Sequence, residues 1–247
     1  MKAQVSTAAA ALAGAVLLAS AAPGAAAPLA STAQKGAPRI DQMIVFRSGA
    51  VVSQRVRTIR TTAEVGRRDC AVASATALAA LLRAEPGPIA FHDYGSCSRK
   101  PADSAGLFVE AIRGERNRRQ DGWVYKVGRK LATAGAADPA GPFGDGRLRS
   151  GDDVVWFYCR QRATGTCQRS LEIDTAIDGH RLSVAVTGYD DAGEGRAVAG
   201  ATVRAGGRRA TTDEDGRATL TLPADTHEVY AAKRGMIRSF AKRVRIR

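Results

Sequence analysis

The middle of the chain carries aromatic side chains at alternate positions in two short segments. Trp123 and Tyr125 alternate in the first segment, and Trp156 and Tyr158 in the second. Period-two alternation predicts β-strands whose aromatics share one sheet face. The stretch between them, residues 131–149, is rich in Gly and Pro, which predicts an irregular loop at a sheet end, where binding loops commonly lie.

An apolar stripe with helical spacing precedes these segments. Leu78, Leu81 and Leu82 follow the i, i+3, i+4 pattern, and Thr76 is a suitable N-cap. The Glu-Pro-Gly-Pro run at 85–88 ends the helix. We expect this helix to cover the aromatic face, which makes those aromatics core residues. The alternative is an open aromatic platform for a ligand.

Most other apolar runs are short and fit strands. Beyond residue 181, five segments alternate at period two and are separated by turns rich in Gly, Asp and Pro. Regular short strands of this kind predict an all-β sandwich. The charged, Gly-bearing run at 177–181 marks a domain boundary. We place the shorter second domain at residues 180–247. Before the boundary, strands are predicted at 40–48, 55–59, 89–94 and 107–112.

The N-terminus has the pattern of an export signal. Residues 1–27 contain Lys2, an apolar run at 8–19 and a small-residue cleavage region. The run is too short to span a bilayer, which disfavours the alternative of a membrane anchor. The composition of residues 28–40, mainly small residues and Pro, predicts a flexible linker. We therefore expect a secreted, extracellular protein without a membrane span, and association with the cell wall stays open.

Four cysteines follow the signal segment. An even number in an exported chain favours two disulfides over metal or redox chemistry. Three pairings are possible, and we predict the two that join neighbours in the chain. Zinc would need closely spaced Cys or His pairs, and the sequence has none. We expect no cofactor and no metal. The predicted disulfides are Cys70–Cys97 and Cys159–Cys167.

Charge is the strongest compositional signal. The chain of 247 residues has a formal net charge of +13, and seven of its 37 basic residues are Lys. Such a surface attracts polyanions, which outside a cell would be anionic cell-wall polymers or lipid headgroups. The alternative is compositional bias, because the chain is also rich in Ala and Gly. No nucleic-acid-reading motif is present, so we expect no nucleic-acid partner.

Two motifs resemble a known family. Residues 122–128 (GWVYKVG) and 151–158 (GDDVVWFY), with the helical segment before them, resemble the bacterial domain similar to the C-terminal β-domain of transcobalamin. The resemblance implies an α+β fold, a β-grasp-like domain with one helix on a mixed sheet, over residues 41–175. The same resemblance implies an alternative function, that of a carrier for a corrinoid-like small molecule. The chain departs from the pattern at Gly128-Arg129 and in the loop 131–149, and it has no counterpart of the helical barrel that completes a transcobalamin site.

The C-terminal segment resembles carboxypeptidase-regulatory-like and bacterial immunoglobulin-like modules. The motifs that support this resemblance are GATV at 200–203, TDEDG at 212–216 and LTLP at 220–223. The resemblance supports the all-β sandwich at 180–247. Such modules serve as spacers or adhesion units, so both roles stay open.

No catalytic set can be assembled from the sequence. His92-Asp93 near Cys97 is a weak nucleophile candidate, because a disulfide would consume the thiol. We expect a non-enzymatic binding protein that acts at or near the cell surface, with a small-molecule (corrinoid-like) carrier as the alternative and an extracellular hydrolase as the weakest. Its partner would be an anionic wall polymer or an unknown small molecule. The candidate ligand-binding residues are Trp123, Arg129, Lys130, Phe143, Arg147 and Trp156.

Overall fold

The computed structural model describes residues 36–247. The predicted signal segment, residues 1–27, and positions 28–35 of the predicted linker lie outside this range. Among the described residues, 48% are in strands and 6% in helices. The α+β, β-grasp-like expectation is therefore wrong, because the chain is close to all-β and forms five separate sheets.

The strands divide into two groups along the chain. The N-terminal part contains β1 Arg39–Val45, β2 Val51–Arg57, β3 Thr61–Val65, β4 Arg68–Val72, β5 Ile89–Asp93, β6 Leu107–Ile112, β7 Glu115–Arg116, β8 Gly122–Val127, β9 Lys130–Leu131 and β10 Asp153–Cys159. The C-terminal part contains β11 Ser170–Asp178, β12 Arg181–Tyr189, β13 Gly195–Ala197, β14 Thr202–Ala205, β15 Arg208–Thr211, β16 Arg217–Thr221, β17 Asp225–Ala232 and β18 Lys242–Ile246.

The predicted helix is present but short. Helix α1 spans Ala77–Arg83, and the Thr76 hydroxyl caps it by accepting a hydrogen bond from the Ala79 N–H at 3.2 Å. Glu85 has a φ of 46°, so the chain leaves the helical conformation just before Pro86. Seven helical residues cannot cover a sheet, and hairpins enclose much of the core instead. The helical contribution to the fold is therefore small, and the expected helix-on-sheet layer does not form.

The central sheet has the order β2-β1-β10-β8-β9. β1 and β10 run parallel, whereas the other pairs are antiparallel. On the β8–β10 pair, Trp123 lies opposite Tyr158 and Tyr125 lies opposite Trp156. All four rings are buried in one apolar cluster with the side chains of α1. The interpretation of these aromatics as core residues is confirmed.

Two smaller sheets complete this core. β3 pairs with β4, and β5, β6 and β7 form a three-stranded antiparallel sheet. A Cys70–Cys97 disulfide ties β4 to the segment after β5, and a Cys159–Cys167 disulfide joins the end of β10 to the segment before β11. Both predicted pairings are confirmed. A short 3-10 helix, Pro101–Gly106, leads into β6.

The C-terminal part consists of two four-stranded antiparallel sheets around one apolar cluster. In the first sheet, β12 lies centrally, beside β11, β13 and β16. The second sheet has the order β15-β14-β17-β18. The run at 177–181, expected to mark the domain boundary, forms the turn of the β11–β12 hairpin. β11 therefore belongs to the C-terminal sheets, although most of it precedes that boundary.

The second face of the central sheet packs against the C-terminal part. Met43, Val155 and Phe157 form an apolar cluster with Ile237, and Phe240 packs at its edge. Burial of both faces explains why β10 is a nearly continuous apolar run. Neither helix within residues 36–247 has the length and hydropathy needed to cross a membrane.

Candidate functional site

The two tryptophans proposed as ligand contacts lie inside the core. Trp123 is 3% exposed and Trp156 is 1% exposed. The Tyr125 and Trp156 rings stack with centroids 5.1 Å apart, and burial raises the pKa of the Tyr125 phenol. A cavity of about 150 Å³ beside them is smaller than the roughly 300–1,000 Å³ typical of sites for drug-sized ligands.

The loop expected to carry recognition is anchored to the core. Within residues 131–149, the Ala136 carbonyl accepts a hydrogen bond from the Leu78 N–H at 2.7 Å, and Leu148 is 3% exposed. Gly141 has a φ of 101°, and a Cβ there would collide with the Gly146 carbonyl. The loop therefore closes over the start of α1 and packs against the core.

Phe143 and Arg147 lie in this loop and do not line the cavity beside the tryptophans. Phe143 is half-buried, whereas Arg147 is exposed. The Arg147 Nε donates a hydrogen bond to the Pro139 carbonyl at 2.7 Å, which holds the guanidinium against its own loop.

Arg129 and Lys130 lie at the junction of the two parts. The Arg129 Nε donates a hydrogen bond to the Glu172 carboxylate at 3.0 Å, and this bond raises the pKa of Arg129. Both residues border a cleft of about 550 Å³ that also contains Asp153. Burial, together with nearby Asp41 and Glu172, raises the pKa of Asp153 from 3.8 to about 6. This cleft is lined by four cations and two carboxylates, and the pairing of Arg129 with Glu172 neutralises part of its positive charge within the protein.

A second cleft at the junction has a different character. It has a volume of about 550 Å³ and lies between the β1–β2 turn, the end of β10, β14 and the segment after β17. The residues that line it include no carboxylate. We call it the basic cleft, and its cationic residues are Arg47, Arg160, Arg204, Lys233, Arg234 and Arg238.

The cationic side chains of the basic cleft form no direct ion pairs within the described residues. Among the ion pairs of residues 36–247, none involves these six side chains. The Arg47 guanidinium lies over the Tyr158 ring at 4.9 Å, and the Lys233 Nζ donates a hydrogen bond to the Ala199 carbonyl at 2.6 Å. These contacts orient the two cations without pairing either side chain with a carboxylate, although the Glu115 carboxylate accepts a hydrogen bond from the Arg47 backbone N–H at 3.0 Å.

Arg238 is the most enclosed of the arginines in the basic cleft. Its guanidinium lies 3.8 Å from the centroid of the Tyr230 ring. Burial lowers the pKa of Arg238, and the nearby Tyr230 and Glu228 oppose this effect. An arginine remains charged in proteins despite such a shift. It therefore adds a fixed positive charge to the basic cleft, and it also borders the first cleft.

Sequence reasoning did not locate the basic cleft. Its cations come from both parts of the chain, from Arg47 to Arg238, and no local motif connects them. The one available signal was the overall excess of Arg, which predicts polyanion binding and no position for it. Of the candidates chosen from the sequence, Trp123 and Trp156 pack in the core, and none of the six lines the basic cleft.

The described residues give little support for a metal site or for a Cys–His nucleophile. Residues 36–247 contain no group of three or more His, Cys, Asp or Glu side chains placed to hold a metal ion. His92 stacks edge-on with Tyr94, with ring centroids 4.4 Å apart, and Cys97 is in a disulfide. Comparisons with protein-family models, with curated proteins and with solved structures each found no match.

Proposed function

We propose that this chain is an exported, non-enzymatic binding protein that takes an anionic ligand in the basic cleft. One observation carries the proposal: six cationic side chains line a single cleft that has no carboxylate in its wall. Elsewhere among the described residues, Arg55, Arg116 and Arg129 each pair with a carboxylate, whereas the wall of this cleft offers none.

Electrostatics favours an anion at this position. Like charges gathered in a concave surface repel one another, and low-dielectric walls focus their field into the cleft. A bound anion relieves that repulsion. An arginine guanidinium can also donate two parallel hydrogen bonds to the oxygens of a phosphate or carboxylate group. Five of the six cations are arginines, so the ligand is expected to carry phosphate or carboxylate groups.

The expected location is extracellular. Two disulfides suit an oxidising compartment, and the N-terminal sequence has the pattern of an export signal. In that setting, an anionic cell-wall polymer is the natural polyanion. We propose this polymer class as the partner of the basic cleft.

Binding of tripolyphosphate, measured by calorimetry, tests the proposal. The double substitution Arg160→Gln with Arg234→Gln removes two exposed cations from the cleft. A matched control, Arg181→Gln with Arg217→Gln, makes the same charge change on exposed positions of β12 and β16. We expect weaker binding only for the cleft variant, and loss of binding near 1 M salt, where screening is almost complete.

Equal weakening in both variants would mean that net charge, and not the cleft, attracts the anion. Absence of binding by the unmodified protein at about 0.1 M salt, where the Debye length is still about 10 Å, would refute the proposed function.

A further inference from the structure

The outer face of the sheet β15-β14-β17-β18 is basic. Val203, Val229 and Val244 point into the C-terminal core, so the residues that alternate with them face outward. Those outward positions carry Arg204, Arg209, Arg243 and Arg245, separated by Thr202, Thr211, Thr226 and Tyr230. Within this sheet the outer face has one carboxylate, Glu228, whose oxygen lies 3.7 Å from the Arg243 Nε.

Arg204 and Arg209 form a pair of like charges. The two residues lie directly opposite each other on the antiparallel strands β14 and β15, and both are exposed. Like charges at such positions destabilise a sheet. Neither arginine forms an ion pair within residues 36–247. Since no side chain within residues 36–247 pairs with either arginine, an external anion is what can neutralise the two charges.

The basic cleft continues onto this face. Arg204 borders the cleft and is also an outward residue of β14. Arg238 borders the cleft as well, and its guanidinium covers the ring of Tyr230, which lies opposite Arg204 on β17. Cations therefore extend from the cleft onto both edges of this face, to Arg209 on β15 and to Arg245 on β18.

We infer that the ligand of the basic cleft is a linear polyanion that leaves the cleft and crosses the outer face of this sheet. The inference rests on the proposed function and specifies its ligand as a chain with repeated anionic groups, because an anion confined to the cleft would not reach Arg209, which does not line it. The face offers no free aromatic platform for bases, since Arg238 covers Tyr230. A polymer without bases therefore fits better than a nucleic acid.

Two probes, tripolyphosphate and long-chain polyphosphate, distinguish binding in the cleft from binding on the outer face of the sheet. The double substitution Arg209→Gln with Arg245→Gln removes two cations that do not line the basic cleft. We expect it to weaken long-chain binding by about fivefold for each residue, as for an exposed ion pair, and to leave tripolyphosphate binding unchanged. The variant Arg181→Gln with Arg217→Gln serves as the control of equal charge.

Long-chain binding that resists the sheet substitutions would overturn the inference, while tripolyphosphate binding in the cleft would still stand as evidence for the proposed function. Polyglutamate serves as a carboxylate probe. Sensitivity of either polymer to the sheet substitutions supports a linear polyanion, and their relative affinity identifies the preferred anionic group. Tighter binding of single-stranded DNA than of polyphosphate at equal charge would show that bases contribute, and would also overturn the inference.

Discussion

The Lys126 ammonium group lies 3.7 Å from the Asp191 carboxylate and joins the central sheet to the C-terminal part. Lys126 is fully buried, and its Nζ also donates hydrogen bonds to the Tyr189 and Asp190 carbonyls at 3.0 and 2.8 Å. Burial lowers the pKa of Lys126, while Asp191 and Asp190 oppose that shift. Since both clefts lie between the two parts, this lysine helps to fix their shape.

Replacement of Lys126 by Met should destabilise the protein by about 3 kcal/mol, because it leaves two carbonyls and a carboxylate without their cation. Urea unfolding would measure the loss. The exposed neighbour Lys130→Met is the control and should change stability little. Adding Asp191→Asn to Lys126→Met should recover part of the loss. A Lys126→Met variant as stable as the unmodified protein would contradict the assigned role.

The two tryptophans should respond differently to replacement by Phe. The Trp123 Nε1 donates a hydrogen bond to the Glu115 carbonyl at 2.7 Å, whereas the buried Trp156 Nε1 has no hydrogen-bond partner within residues 36–247. Both substitutions remove similar apolar area. Trp123→Phe should therefore cost about 1 kcal/mol more than Trp156→Phe. Thermal and urea unfolding of the two variants would compare them directly, and equal losses would argue against this difference.

Asp153 should make stability depend on pH. Its pKa is raised in the folded state from 3.8 to about 6, so the fold favours the protonated carboxyl. The contribution of this group to stability is complete below about pH 4 and declines as the pH rises through about 6. Asp153→Asn, which mimics the protonated form, should be more stable than the unmodified protein at about pH 7, by about 1 kcal/mol or less after solvent screening, with the gain fading at about pH 4.

A parallel Asp145→Asn substitution controls for the change in net charge, since Asp145 is exposed in the loop 131–149. A gain for Asp153→Asn that was equal at both pH values would show that ionisation of Asp153 is not the cause and that the amide itself stabilises the site.

The two disulfides should contribute unequally. Cys70 and Cys97 are separated by 27 positions, and Cys159 and Cys167 by 8. By loop-closure entropy, replacing the first pair with Ala should cost about 3–4 kcal/mol and replacing the second about 2–3 kcal/mol. Denaturant unfolding of the two double variants gives the order, and the reverse order would show that local packing outweighs chain entropy here.

Local rules located many of the elements. The Leu spacing and the Thr76 cap predicted α1, and alternating aromatics predicted β8 and β10. The same rules did not predict β3 and β4, whose short polar sequences depend on pairing with each other for their stability. These rules also placed most of β11 in the first domain, whereas it pairs with β12 of the C-terminal part. The reason is that a charged turn containing Gly has the same sequence pattern within a hairpin as between two domains.

By itself, the sequence determined that four cysteines follow the signal segment, where the short helix lies, which strands carry the tryptophans and that positive charge is in excess, while the choice among three cysteine pairings was settled by the structure. Each follows from neighbours in the chain. Only the tertiary structure decided that the aromatics fill a core, that Lys126 is buried at a junction, and that Arg47, Arg160, Arg204 and Arg234 meet in one cleft. Charges so distant in sequence share a surface only because both faces of the central sheet are buried, which brings the C-terminal sheets against the N-terminal part.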